Sequence, residues 1–122
     1  MHVNLPKNQK VVYLAGPYRD WTDGTKTQYS LDGIFRNIWA SRDEAVRWWA
    51  TGDWAPIRPH LNSLFIDGHQ GCDDETITAA DLTILSRCDA ICMLPGWKNS
   101  VGSLKELKVA EQLDLEGRRD IA

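Results

Sequence analysis

Residues 89–106 read DAICMLPGWKNSVGSLKE, and this stretch predicts a strand followed by a helix. The apolar run 90–94 is typical of a buried strand, and the Pro-Gly pair after it ends the strand. Ser100 is a favourable N-cap residue for the helix. The apolar residues of this helix recur at helical spacing: Leu104, Leu107, Ala110 and Leu113. We therefore expect a strand–loop–helix unit at this point of the chain.

The start of this helix is a candidate anion site. Backbone N–H groups around Ser100 and Gly102 have no intrahelical partner there, and such groups bind anions. Glu106 follows at the end of the second turn, near the carboxyl edge of the sheet, where α/β proteins bind ligands. The alternative interpretation is that Ser100 only caps the helix and that Glu106 is a solvated helix residue.

Three further segments predict strands. Residues 11–15 (VVYLA) form a buried, β-branched run that ends at Gly16. Residues 54–59 contain two prolines, so we expect this strand to be short or near an edge of the sheet. Residues 116–122 leave room for only a stub of a last strand.

Two helices separate these strands. The first is capped by Ser30 or Asp32 and ends near Gly52. Its inward face is expected to contain Ile34, Ile38, Ala45 and Trp49, with Phe35, Trp39 and Val46 alongside. The second helix spans 76–87 and carries Asp81 in its middle. Its expected inward residues are Ile77, Ala80, Ile84 and Leu85.

This alternation predicts a single α/β domain over residues 1–122, with residues 1–9 as a loose N-terminal arm. Strands joined through helices form a parallel sheet with helices on both faces, here with four to five strands. Ligands bind such sheets beyond the carboxyl ends of the strands. The loops 16–32, 59–76 and 95–102 should converge there.

Composition narrows the class of protein. Hydrophobic residues make up 43% of the chain and charged residues 25%, as in ordinary soluble domains. A net charge of −3 argues against binding nucleic acid through phosphate neutralisation. No apolar run is long enough to span a membrane, and we expect neither a transmembrane segment nor a signal peptide. Its three cysteines, Cys72, Cys88 and Cys92, form no CxxC pair, which favours reduced thiols in a cytoplasmic protein.

Residues 60–74 predict a loop at the ligand-binding edge, and His60 in this loop is a candidate substrate-binding residue. The loop also contains Asn62, Asp67, His69, Cys72, Asp73 and Asp74. Their spacings match no pattern of metal ligands, so we expect a solvated loop rather than a metal site.

Four short motifs occur in one order along the chain. They are YLAGP at 13–17, Asp81 within a helix, CDA at 88–90, and S-x-G-x-x-x-E from Ser100 to Glu106. Together they resemble the nucleoside 2-deoxyribosyltransferase family, including its phage and bacterial relatives of unassigned function, over about residues 11–115. The resemblance implies a three-layer, flavodoxin-like (Rossmann-like) fold and cleavage of the N-glycosidic bond of a nucleoside or nucleotide. It implies no cofactor and no metal.

The resemblance also implies roles for three residues. Glu106 matches the nucleophile that attacks C1′ of the sugar. Asp81 matches the acid that helps the base to depart or holds the sugar. Tyr13 occupies the position of an aromatic residue near the nucleophile.

Two residues suggest a branch of the family. Transferases that act on free nucleosides have an Asp in the place of Ser100. A serine there, with an arginine just past the first glycine (Arg19 after Gly16), resembles the branch that hydrolyses 2′-deoxynucleoside 5′-monophosphates. The chain departs from that branch at Pro17, where the hydrolase has a small hydroxyl residue, and in its longer loop 18–32.

The chemistry requires two acids in different protonation states. An oxocarbenium-like transition state needs an ionised carboxylate facing the sugar and a proton donor for the leaving group. We expect the helix dipole to keep Glu106 ionised, and burial beside a like charge to raise the pKa of Asp81. Trp21 or Tyr29 in the loop 18–32 would stack on the base.

Three alternatives to a nucleotide hydrolase stay open. They are a transferase that exchanges bases, a protein that binds nucleotides without turnover, and a structural phage protein. Two facing carboxylates count against a pure binder. The family resemblance also implies a homodimer or higher homo-oligomer.

Overall fold

The computed structural model describes residues 1–6, 8–19, 29–66 and 69–119, with the backbone alone at 116–119. Within these ranges the elements are β1 (Lys10–Ala15), α1 (Leu31–Thr51), β2 (Trp54–Ile57), α2 (Pro59–Asn62), α3 (Asp74–Ser86), β3 (Ala90–Met93), a 3-10 turn (Trp97–Asn99), α4 (Val101–Gln112) and β4 (Glu116–Arg119). No helix in these ranges combines the length and the apolar character needed to cross a bilayer.

The strands form one parallel sheet in the order β2-β1-β3-β4. The predicted parallel sheet is confirmed, with four strands. The two-proline strand β2 lies at an edge, as expected from the missing N–H donors of proline. The central strands β1 and β3 are buried on both faces, which explains their continuous apolar sequences.

Alternate residues of the central strands point to opposite faces and form two cores. Val12 and Leu14 lie in one core with Ala45 and Trp48 of α1. The other core contains Tyr13, Ala15 and Ile91 together with side chains of α3 and α4, namely Leu85, Leu107 and Ala110. The sheet is therefore the middle of three layers, with α1 on one side and α3 and α4 on the other.

Both ends of α1 follow from its sequence. The Ser30 hydroxyl accepts a hydrogen bond from the Gly33 N–H at 3.0 Å, so Ser30 rather than Asp32 caps the helix. Gly52 ends it in the left-handed region at φ 74°, where a residue without Cβ is favoured.

The predicted inward face of α1 is partly wrong. Ile34 and Ala45 are buried as expected, but Trp49 is 60% exposed. Trp48 is buried in its place, with its ring edge-to-face on Trp54 of β2 at 5.2 Å between centroids. Neighbouring residues on a helix differ by about 100° in direction, so packing against β2 selects one of the two adjacent tryptophans.

The inward faces of α3 and α4 also differ from the prediction. Ala80 is exposed, and Leu85 is the fully buried residue of α3. On α4 the predicted Leu107 and Ala110 are buried, whereas Leu104 and Leu113 are 44% and 46% exposed. The surface that α4 buries against the sheet is therefore narrower than the set of apolar residues in its sequence.

Part of the predicted loop 60–74 is helical. Pro59 begins α2 at a position where its missing N–H costs nothing, and His60 lies within this helix. At the other end, α3 begins at Asp74, earlier than predicted, because the Asp73 carboxylate accepts from the Thr76 N–H at 2.7 Å. Asp67 lies outside the described residues.

Gly16 joins β1 to the ligand-binding edge at a point of close packing. A Cβ on Gly16 would lie 2.7 Å from Cβ of Leu94, which is buried and cannot move aside. We expect Gly16→Ala to lower the free energy of unfolding by about 1–3 kcal/mol because of this overlap. Chemical denaturation measures the change.

The matched control is Gly102→Ala. Nothing lies within 4 Å of a Cβ at Gly102, which is in the first turn of α4. This variant should be as stable as the wild type or slightly more stable, because alanine favours a helix over glycine. Equal stability of the two variants would contradict the packing argument.

Candidate active site

A cavity of about 340 Å³ lies at the carboxyl edge of the sheet, where the loops were expected to converge. Its lining comes from the end of β1, from α2, from α3 and from the start of α4. Seven of the predicted site residues line it: Gly16, Arg19, His60, Asp81, Ser100, Gly102 and Glu106. Tyr13 contacts Glu106 and is fully buried, and Trp21 lies outside the described residues.

Tyr13 and Glu106 form the buried centre of this site. The Tyr13 hydroxyl on β1 donates a hydrogen bond to Oε2 of Glu106 on α4. Tyr13 is fully buried, and Glu106 is 9% exposed while still lining the cavity. One carboxylate oxygen is thereby held by a protein donor, and the carboxyl group faces the space where a ligand would lie.

Burial dominates the acid–base properties of the two carboxyl groups. It raises the pKa of Glu106 to about 7, with the Tyr13 hydrogen bond acting in the opposite direction and the charge of Asp81 adding to the rise. Burial also raises the pKa of Asp81 to about 6. Burial and the Glu106 charge raise the pKa of Tyr13 far above its ordinary value, so its hydroxyl stays a donor.

The expected lowering of the Glu106 pKa by the helix dipole is therefore wrong. Glu106 is the sixth residue of α4, whereas the dipole acts mainly within the first turn. At the buried position of Glu106 the loss of hydration has a larger effect on the pKa than the helix dipole. The raised pKa expected for Asp81 is confirmed. The pKa values of both carboxyl groups are raised, whereas the prediction had Glu106 ionised and only the pKa of Asp81 raised.

The α4 N-terminus presents hydrogen-bond donors to the cavity. The Ser100 hydroxyl oxygen accepts from the Ser103 N–H at 3.2 Å and from the Ser103 hydroxyl at 2.9 Å. With both of its lone pairs engaged, the hydroxyl of Ser100 has its own hydrogen left to donate. The backbone N–H of Gly102, in the same first turn, has no carbonyl four residues earlier within the helix.

Arg19 reaches the rim of the cavity from the end of β1. Its guanidinium group forms a two-pronged ion pair with Asp74 at the start of α3, at 3.0 and 3.1 Å. The guanidinium also lies over the Tyr29 ring, 5.0 Å from its centroid. An anion that binds Arg19 must therefore compete with the Asp74 carboxylate.

His60 is buried rather than solvated. Its Nε2 donates to the Gly16 carbonyl oxygen at 2.9 Å, and burial lowers the pKa of the imidazole, so the neutral ring is favoured. The Tyr18 ring lies 5.6 Å away between centroids. Among the described residues no donor meets Nδ1, which is buried, and His60 as a whole lines the cavity.

Comparison with known proteins gives matches to solved structures and to one family model. No curated protein matches this chain. A family model described as a domain of unknown function (DUF4406) matches residues 61–116, which span α3, β3 and α4. A 2-desoxiribosyltransferase from Leishmania mexicana superposes over 90% of this chain with a TM-score of 0.52 and 20% identity.

This chain has a deoxyribosyltransferase fold. The match confirms the flavodoxin-like, three-layer arrangement implied by the sequence motifs. The chain spans 63% of the length of the Leishmania protein. At 20% identity the likeness concerns the fold, so the chemistry rests on the residues of the cavity.

Two residues that line this cavity were missed as site residues. Ser103 is buried and orients Ser100, and the S-x-x-S spacing at one helix start was a usable signal for it. Asp74 pairs with Arg19, 55 positions earlier, and no local pattern indicates such a contact. Among the described residues, no group of three His, Cys, Asp or Glu side chains is arranged to hold a metal ion.

The raised pKa of Glu106 makes fold stability depend on pH. The folded state favours the protonated carboxyl, so its stabilising contribution is complete below the ordinary value of 4.5 and is lost as the pH rises through about 7. Glu106→Gln has no proton to lose. Between pH 5 and 8 the free energy of unfolding of the wild type should fall by roughly 2–3 kcal/mol relative to this variant.

Urea denaturation at several pH values measures this difference. Glu111→Gln, an exposed substitution on the same helix, is the control and should follow the wild-type curve. Parallel curves for the wild type and Glu106→Gln would show that burial does not shift the titration of Glu106.

Proposed function

We propose that the protein cleaves the N-glycosidic bond of a 2′-deoxynucleoside or its 5′-monophosphate, with Glu106 as the nucleophile. The observation that carries this proposal is the hydrogen-bonded Tyr13–Glu106 pair beneath a cavity that also contains Asp81. The motif resemblance and the deoxyribosyltransferase fold support the same chemistry.

In the first step, the ionised Glu106 carboxylate attacks C1′ of the sugar and forms a sugar–enzyme ester. The bond between C1′ and the base nitrogen breaks, and its electron pair leaves with the base. Asp81, which lines the same cavity, supplies a proton to the departing base or holds the sugar. Tyr13 holds Oε2 of Glu106, so Oε1 is the attacking oxygen.

In the second step, an acceptor attacks C1′ and releases Glu106. A second base as acceptor makes the enzyme a deoxyribosyltransferase, and water makes it a hydrolase. The fold similarity favours transfer between bases as the first candidate. Two facing carboxyl groups argue against a nucleotide-binding protein without turnover, because binding alone does not require them.

Hydrolysis of a 5′-monophosphate is the second candidate, and the composition of the cavity rim favours it. Ser100, the first-turn N–H of Gly102 and Arg19 all line the cavity that contains Glu106. A phosphate dianion between them would gain charge-assisted hydrogen bonds. The base would then lie towards Tyr18 and His60, whose rings are 5.6 Å apart between centroids and which both line the cavity. We further propose a cytoplasmic homodimer.

Glu106→Gln tests the nucleophile. The variant keeps the shape of the side chain but lacks the carboxylate, so it should lose nearly all base release while still binding nucleotide. Chromatography of free base across a panel of nucleosides and monophosphates measures turnover, and addition of a second base separates transfer from hydrolysis. Glu111→Gln is the matched control, and full turnover by Glu106→Gln would exclude Glu106 as the nucleophile.

Ser100→Ala and Asp74→Asn test recognition of the phosphate. Loss of the Ser100 hydroxyl should lower kcat/KM for the monophosphate by about one to two orders of magnitude, since a hydrogen bond to a charged group contributes about 1.5–3 kcal/mol. Asp74→Asn removes the carboxylate that competes for Arg19. It should raise the same constant by up to about fivefold, because an exposed ion pair contributes about 0.2–1 kcal/mol.

The free nucleoside is the control substrate in this experiment. It has no phosphate, so its kcat/KM should change little in either variant apart from any loss of folding, which thermal denaturation monitors. If the wild type prefers the nucleoside, or if both variants leave the ratio of the two constants unchanged, the phosphate site is wrong and transfer between free nucleosides remains.

A further inference from the structure

Two aromatic rings contact Arg19 at the cavity rim, in addition to the carboxylate of Asp74. The guanidinium carbon of Arg19 lies 5.8 Å from the centroid of the Tyr18 ring and 5.0 Å from that of the Tyr29 ring. Both distances fall within the range of about 6 Å over which the face of an aromatic ring attracts a cation. The Arg19 side chain is 20% exposed, so these contacts are partly shielded from water. The rings therefore help to fix the position of the guanidinium group.

Both tyrosines are anchored on the start of α1. The side-chain amide of Asn37 on α1 donates a hydrogen bond to the Tyr18 carbonyl oxygen at 3.1 Å. Tyr29 directly precedes Ser30, whose hydroxyl caps the helix. The rings beside Arg19 thus come from two segments that are held by the same helix, and their contact with the guanidinium does not require a ligand.

Tyr29 lies beside Arg19 rather than at the cavity wall. Among the described residues that line the cavity, Tyr18 and Arg19 are present and Tyr29 is not. Tyr29 is 41% exposed, and its ring lies over the Arg19 guanidinium. In this structure the ring therefore contacts a side chain that would bind phosphate, and not the space where a base would lie.

Such a contact is useful to an arginine that binds an anion. An arginine side chain has many rotamers, and fixing it on a phosphate costs conformational entropy. A ring against the flat face of the guanidinium restricts these rotamers before the ligand arrives, and it leaves the N–H groups at the edge available. Without ligand these N–H groups bind Asp74, at 3.0 and 3.1 Å. A phosphate that displaces Asp74 would meet a guanidinium that the rings still hold.

We propose that Tyr29 is a positioning residue for anion binding, because its ring holds the Arg19 guanidinium at the cavity rim, where the guanidinium binds the phosphate of a nucleoside 5′-monophosphate. This inference rests on the phosphate site proposed above, and it names a residue that determines the affinity of that site. Tyr18 makes a similar contact but also lines the cavity, so Tyr29 is the residue that separates the two roles. Its ring should matter for any ligand with a phosphate, whether or not the ligand carries a base.

A ligand without a base tests this role. Titration calorimetry of the full chain with 2-deoxyribose 5-phosphate gives the dissociation constant. Tyr29→Leu should raise this constant about two- to fivefold, which is the change expected for the loss of one partly exposed cation–π contact. Tyr29→Phe keeps an aromatic ring beside Arg19 and should bind nearly as tightly as the wild type.

Trp39→Leu is the matched control. Trp39 is 64% exposed on α1, and the Arg42 guanidinium lies 5.3 Å from its ring centroid, so this substitution also removes a ring from an arginine. Trp39 is not among the described residues that line the cavity. The dissociation constant of the sugar phosphate should therefore stay at the wild-type value.

A double-mutant cycle shows whether Tyr29 acts through Arg19. Arg19→Leu should weaken binding of the sugar phosphate by about tenfold or more, because a charge-assisted hydrogen bond is lost. In the Arg19→Leu background, Tyr29→Leu should have no further effect. A loss that adds to that of Arg19→Leu would show a general effect of Tyr29 on the fold, and it would contradict the positioning role.

Three further results would overturn the proposal, and they differ in what they exclude. If Tyr29→Leu weakens binding of 2′-deoxynucleoside 5′-monophosphates but not of the sugar phosphate, the ring contacts the base. If Tyr29→Leu binds as the wild type does while Arg19→Leu does not, the phosphate site stands and only the role of Tyr29 is excluded. If the wild type and Arg19→Leu bind the sugar phosphate equally, the phosphate site itself is wrong, and the monophosphate candidate under the proposed function fails with it.

Discussion

The hydrogen bond between Tyr13 and Glu106 joins the central strand to the helix that begins at the ligand-binding edge. It requires β1 to present Tyr13 towards α4, and it requires α4 to pack closely through Leu107 and Ala110. A carboxyl group at this depth loses hydration, which raises its pKa and opposes its ionisation. The fold thus holds a reactive carboxyl group in place at a cost in stability at neutral pH.

The cavity wall combines carboxyl groups with hydrogen-bond donors, and this combination indicates its ligand. Asp81 and Glu106 contribute the carboxyl groups, and Arg19 and the start of α4 contribute the donors. A molecule with an electron-poor carbon and an anionic end matches this arrangement. The Asp74 carboxylate is paired with the Arg19 guanidinium, so a phosphate would have to displace this carboxylate in order to bind Arg19.

Helix α1 places its tryptophans in two different environments. Trp48 packs inward on Trp54, while Trp39 and Trp49 are exposed. Neighbouring residues of a helix differ by about 100° in direction, so packing of Trp48 against the sheet leaves Trp49 at the surface.

Local sequence determined the elements of this protein and the chemical types in its site. Strand β1, the Ser30 and Ser100 caps and the Gly52 helix end depend on short-range patterns, because caps, turns and buried strands are set within a few residues. The order of motifs indicated Glu106, Asp81 and Ser100 as site residues, and the structure brings these three residues to one cavity. Only the tertiary structure decided which tryptophan of the 48–49 pair is buried and that His60 lies in a helix. It also decided that Arg19 pairs with Asp74 and that burial raises the pKa of Glu106. Each of these depends on contacts between distant segments or on the depth of burial, and neither quantity is contained in a local pattern of residues.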